Sequence, residues 1–111
     1  MARRGELLGS LEQIVLLAVM RLEPNAYGMT VRQEIARRTG RELSIGAVYA
    51  TLERLQAKGF VSTFQGEPTP ERGGRSKRYF RVEAEDKRAL RAAQEAVRRM
   101  TKGLKGLSEA T

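Results

Sequence analysis

Apolar residues recur along this chain at helical spacing three times, then at alternating spacing twice, and finally at heptad spacing toward the carboxy terminus. In the first stretch Leu11, Ile14, Val15, Ala18 and Leu22 make a broad apolar face, and Ser10 with Gln13 matches a capping box, so a helix is predicted from Ser10 to about Leu22. Pro24-Asn25 breaks it. Tyr27, Val31 and Ile35 lie four apart on a second helix that ends near Thr39-Gly40. Arg41-Glu42-Leu43 leads into Ser44, whose hydroxyl suits an N-cap, and Ile45, Val48, Leu52 and Leu55 form the stripe of a third helix that Gly59 closes.

The pattern then changes period. Phe60-Val61-Ser62-Thr63-Phe64 alternates roughly as a half-buried strand, and Ser76 to Val82 does so again, with Phe80 and Val82 on one side and Lys77, Tyr79 and Arg81 on the other. Between them Gly66-Glu67-Pro68-Thr69-Pro70-Glu71-Arg72-Gly73-Gly74 favours turns and opposes ladder pairing, so the two runs form a hairpin. Leu90, Ala93, Val97, Met100, Leu104 and Leu107 follow at spacings of 3, 4, 3, 4 and 3, a heptad seam. Such a seam wants a partner: a second copy of the chain, the first helix of its own chain, or both. Gly103 and Gly106 weaken helix propensity, and fraying is expected past Lys102.

The expected architecture is α+β, mainly α: a winged helix-turn-helix of three helices and a two-stranded wing over residues 1–83, then a carboxy-terminal dimerisation helix over 84–111. The third helix is the expected recognition element. Opposite its apolar stripe lie Ala47, Thr51, Arg54 and Lys58, with Gly46 and Ala50 beside them, a face small at its leading end and cationic at its trailing end. Ser44, Gly46, Ala47 and Thr51 are expected nearest the base edges, with Ala50 at the same close approach, Arg54 and Lys58 on phosphate, and Tyr49 either on phosphate or packed against the hairpin. At the wing, Arg72, Gly73, Gly74, Arg75, Lys77 and Arg78 are expected along the DNA backbone or minor groove, and Arg32 of the second helix adds a further phosphate contact.

Charge agrees with a polyanion partner. The 111 residues carry 21 Lys+Arg against 13 Asp+Glu, a formal net charge of +8, in a length that suits one compact domain. No apolar run approaches the roughly 20 residues that span a bilayer, and Gly9, Ser10, Glu12, Gln13 and Arg21 interrupt the Leu7–Leu22 stretch, which reads as a buried helix and not a signal peptide. Without cysteine or histidine there is no disulfide, thiolate chemistry or histidine general base, and Glu12, Glu34, Glu42 and Glu53 sit on different helices with no nucleophile or metal cluster. A cytoplasmic protein with no cofactor, no metal and no enzymatic activity is expected. The rival reading on charge alone is a non-specific basic protein of the nucleoid-associated or RNA-binding kind.

The residues also resemble the PadR-like transcriptional regulators. The resemblance lies in Leu8-Gly9-Ser10-Leu11-Glu12, in Ala26-Tyr27-Gly28, in the run from Ser44 to Leu55, in Lys58-Gly59-Phe60-Val61 and in the stretch from Gly73 to Phe80, most of residues 8 to 82. It implies a dimeric cytoplasmic winged-helix regulator, usually a repressor, in which the carboxy-terminal helix makes the dimer. Two recognition helices related by a two-fold axis are then expected on a palindromic double-stranded DNA operator. Regulators of this family can release DNA when a small molecule binds at or near the dimer interface. With no Trp, three Phe and three Tyr, no aromatic stacking box is evident for an effector, whose identity stays open. One departure is Glu83-Ala84-Glu85-Asp86, where family members often have a Thr-x-x-Gly turn.

Overall fold

The computed structural model describes residues 8–67 and 77–109, with side chains through 107. Helix α1 is Ser10–Leu22, α2 Gly28–Thr39 and α3 Ile45–Ala57; strands β1 (Val61–Gln65) and β2 (Arg78–Val82) follow, then α4 (Ala84–Thr101) and a short α5 (Lys105–Glu109). The order is helix, helix, helix, strand, strand, helix, helix, a mainly helical fold with one two-stranded antiparallel sheet among the described residues.

Local chemistry sets the boundaries. Ser44 Oγ accepts the Ala47 N–H at 3.0 Å and starts α3; Gly59, with φ 85°, turns the chain out of it. At α1 the N-cap falls one residue earlier than Ser10 and Gln13 suggest, on a glycine with no side chain to close a box. Gly9 is the N-cap, and its N–H donates to Glu12 Oε1 at 3.0 Å, while Gln13 Nε2 donates to the Leu8 carbonyl. Glu83 caps α4 through its carbonyl, which accepts the Asp86 and Lys87 N–H groups, so the departure from a Thr-x-x-Gly turn leaves a helix start in place. Where fraying is expected past Lys102 the helix breaks: α4 ends at Thr101, Gly103 turns the chain with φ 85°, and α5 follows.

α1 packs on α2, α3 and β2, α2 packs on α3, and α3 packs on β1. Between them lie Val15, Leu16, Val19, Val31, Ile35, Val48, Leu52, Leu55, Phe60, Phe80 and Leu90. The buried side of α1 centres on Val15, Leu16 and Val19, whereas Leu11, Ile14 and Leu22 are only partly covered. The root of the hairpin belongs to this core. Val61 pairs with Val82 and Thr63 with Phe80, and full burial of a side chain such as Phe60 or Phe80 contributes about 1.5–3 kcal/mol. The outer edge of β2 is tied back to the α1–α2 connection as well: Phe80 N–H donates to the Ala26 carbonyl at 2.8 Å and Val82 N–H to Glu23 Oε2 at 3.0 Å. The base of the wing is thereby fixed.

The terminal seam divides. Leu90 is 2% exposed and Ala93 is buried, both within this one chain, and α4 shares a groove with Leu8 and Gln13 at the start of α1. Beyond them Val97 is 56% exposed and Met100 78%, and Leu104 and Leu107 are also in the open. No described helix is long and apolar enough to cross a membrane.

Candidate nucleic-acid interface

The geometry of α3 follows from which of its residues the core takes. Val48, Leu52 and Leu55 are buried, and so is Thr51, which is 1% exposed and donates its hydroxyl to the Ala47 carbonyl at 2.9 Å. Ile45, at the open first turn, is 37% exposed and stands outside the buried stripe that its apolar type suggests. Counting Thr51 inward and Ile45 outward turns the helix by one residue, about 100°. The outward face is therefore Gly46, Ala50, Glu53 and Ala57, flanked by Tyr49 and Arg54, in place of the expected Ala47, Thr51, Arg54 and Lys58.

Thr51 therefore cannot reach a base edge. A threonine hydroxyl satisfied by the carbonyl four residues back behaves as a core residue, and residue type alone put it on the polar side. Ala47 is half-buried beside it, and the oxygen of the exposed Ser44 hydroxyl accepts the cap hydrogen bond. Gly46 and Ala50 remain at the leading end of the exposed face, as expected from their size.

The trailing cations have partners within the chain. Lys58 Nζ lies 2.8 Å from Glu12 Oε2, and Arg54 Nε lies 3.8 Å from the same oxygen while its Nη2 donates to Thr51 Oγ1 at 3.2 Å. Glu12 is 5% exposed. Burial pushes its carboxyl up, but the hydrogen bonds from Lys58 and the Gly9 N–H, with the charges of Lys58 and Arg54, outweigh that and hold it below the usual carboxylate range. Lys58 thus fastens the end of α3 to the start of α1. Arg32 is likewise engaged: its Nε donates to the Leu43 carbonyl at 2.7 Å and fixes the turn that enters α3.

Tyr49 packs against the start of α2. Its ring, 40% exposed, lies over Gly28 at the first turn of α2, so close that a methyl group there would overlap it. Gly28 is needed for that approach. Beside it an aromatic cluster forms at the wing root, with Tyr27 edge-on to Tyr79 and Phe64 stacked on Tyr79, each pair at 5.4 Å between ring centroids. Cations cover these rings: Lys77 Nζ lies 4.4 Å from the Tyr27 centroid, and the Arg81 guanidinium 4.8 Å from that of Phe64. Arg78 reaches from β2 to Glu53 on the outward face of α3, with Nη2 and Oε2 3.4 Å apart. Arg72, Gly73, Gly74 and Arg75, expected at the wing tip, lie outside the described residues.

The result is a helix with a close-approach face next to a cation-bearing hairpin, both rooted in one core. Sequence reasoning missed Glu12, Glu23 and Glu53 as members of this arrangement. The partner of Glu12 lies 46 residues away, that of Glu23 59 away and that of Glu53 25 away, and no local pattern encodes such pairs. Among the described residues no cluster of acidic side chains could hold a metal ion.

Comparison with known proteins agrees with this architecture. The model of the transcriptional regulator PadR-like family matches residues 16–92. An uncharacterised protein of Lysinibacillus sphaericus is 32% identical over 84 residues, covering 74% of this chain and 72% of that protein. Among solved structures, a PadR family transcriptional regulator from Eggerthella lenta superposes with a TM-score of 0.72 at 24% identity, covering 99% of this chain and 88% of its own. A PadR-like transcriptional regulator from Bacillus cereus gives 0.70 at 16% identity, with coverages of 91% and 93%.

Proposed function

The chain belongs to the PadR-like family of transcriptional regulators, and from that premise we propose that it is a ligand-responsive repressor that binds a palindromic operator as a homodimer. Membership in the family makes it a DNA-binding regulator; repression, the symmetric operator and the response to a small molecule are the parts proposed. The observation that carries the reading is the outward face of α3. Gly46 and Ala50 present almost no side-chain bulk at the leading end, so the backbone can come close to a groove, and the cations at the wing root stand beside it. The net charge of +8 supplies the sequence-independent part of the affinity.

The exposed half of the seam supports the dimer. Val97 and Met100 continue the heptad spacing on α4 after Leu90 and Ala93 have been taken into the core, Leu104 and Leu107 are exposed beyond the break at Gly103, and exposed apolar residues of this kind favour a second copy. Two α3 helices related by a two-fold axis then enter successive major grooves roughly 34 Å apart. The wings flank them.

Footprinting on the DNA upstream of the protein's own gene and its neighbour, with and without candidate ligands, tests the reading. A symmetric protected site, lost on addition of a ligand, is the expected result. Affinity equal for that site and for random duplex would instead make the protein a non-specific binder, since a regulator favours its site by several orders of magnitude. Replacing Arg75 and Lys77 by Ala weakens binding to all sequences alike and flattens the log–log salt dependence by about one unit per lost contact. Unchanged affinity and slope remove the wing from the mechanism.

A further inference from the structure

We propose that Glu53 reads a cytosine in each half-site and is a specificity-determining residue of the recognition helix. The assignment rests on the DNA-binding reading of α3 given above. At the centre of the outward face stand Gly46, Ala50, Glu53 and Ala57, and of these Glu53 alone carries a hydrogen-bonding side chain. The small residues let the helix approach; Glu53 is the group they carry into the groove.

A carboxylate only accepts hydrogen bonds, which limits what it can meet there. Guanine offers O6 and N7 and thymine O4 in the major groove, all acceptors that repel it. Adenine couples its N6 donor to an N7 acceptor, while cytosine offers its N4 amino group with no acceptor beside it on the same base. Phosphate repels a carboxylate too, so Glu53 weakens binding to every duplex that does not offer it a donor. An acid at the centre of the approaching face of a protein with net charge +8 is therefore a discriminating group and not an affinity group.

Arg78 completes the arrangement. Its guanidinium lies 3.4 Å from Glu53 Oε2, and both side chains are exposed. Away from DNA it partly neutralises the carboxylate; on DNA it can turn to a neighbouring phosphate while Glu53 faces the bases. An exposed pair of this kind contributes little to folding, so Glu53 variants keep the fold.

Selection of binding sites from a random duplex pool by the full chain, Glu53→Gln and Glu53→Ala tests the assignment, with circular dichroism as the check on folding. The unchanged protein selects a palindrome with cytosine at one symmetry-related position per half-site. Glu53→Gln moves that position to adenine, because an amide pairs with adenine N6 and N7. Glu53→Ala loses roughly 5- to 100-fold of discrimination at that position alone and binds random duplex more tightly. A palindrome whose letters are the same for all three proteins overturns the role of Glu53 and leaves DNA binding standing. Failure of the unchanged protein to select any sequence overturns both.

Discussion

Glu12→Ala tests the bond that fixes the end of α3. The Glu12 carboxylate accepts the Gly9 N–H at 3.0 Å and the Lys58 ammonium at 2.8 Å, with Arg54 at 3.8 Å. The first of these caps α1, and loss of a cap costs about 1 kcal/mol. A hydrogen bond between two charges contributes about 1.5–3 kcal/mol when dry, but the Lys58 side chain is 34% exposed and regains water when released, so about 1–2 kcal/mol is the expected share. Glu12→Ala therefore loses about 2–3 kcal/mol in urea denaturation at neutral pH with an unchanged m-value, a fall in Tm of roughly 10 °C or more for a domain of this size. Glu12→Gln keeps an acceptor for the Gly9 N–H and loses about half of that. Its pH dependence has a definite sign. Folding holds the Glu12 carboxyl below its ordinary value, so its contribution is complete above the usual carboxylate range and disappears as the pH falls through the folded value. The gap between the unchanged protein and Glu12→Gln narrows on acidification. A loss below about 0.5 kcal/mol for Glu12→Ala, or no coupling between Glu12→Gln and Lys58→Met in a double-mutant cycle, would refute the reasoning.

Three further outcomes are expected. Gly28→Ala drives a methyl into the Tyr49 ring and destabilises the fold by about 1–3 kcal/mol, and adding Tyr49→Ala recovers part of that loss; equal loss with and without the ring would clear Tyr49 as the cause. Thr51→Val leaves operator affinity within about twofold, since the hydroxyl faces the Ala47 carbonyl, and a large drop in affinity from a folded variant would return Thr51 to the interface. Val97→Glu with Met100→Glu gives a folded monomer by light scattering and circular dichroism, whereas Leu90→Glu unfolds the chain; a double variant that stays dimeric would take this half of the seam out of the interface.

What could be read from the sequence was set by the range of the interaction. Ser44 and Gly59 act on their own turns, and the change of period at Phe60 is local, so the order of helices and strands and the mainly helical winged fold are legible without coordinates. The orientation of α3 is not, because it depends on whether one threonine can satisfy its hydroxyl within the helix, and that shifted the exposed face by one residue. How the terminal seam divides was open as well: a heptad spacing admits cover from its own chain, from a second copy or from both, and only the packing shows that Leu90 is covered within the chain while Met100 is exposed. Glu12 and Tyr49 show the same limit in another form. Each meets a partner from another element, Lys58 at the end of α3 and Gly28 in α2, and each contact exists only once the helices have packed.

Helix α1 holds a carboxylate against each arm of the reader. Near its start Glu12 grips the end of α3, and just past its last turn Glu23 accepts a backbone N–H of β2. α3 and the wing root are thus mounted on one rail, and a displacement of α1 carries both together. In the homodimer proposed above, substitutions on the outward face of α3 would act on the reading of a half-site alone, while substitutions that shift α1 would act on the placing of α3 and wing root together.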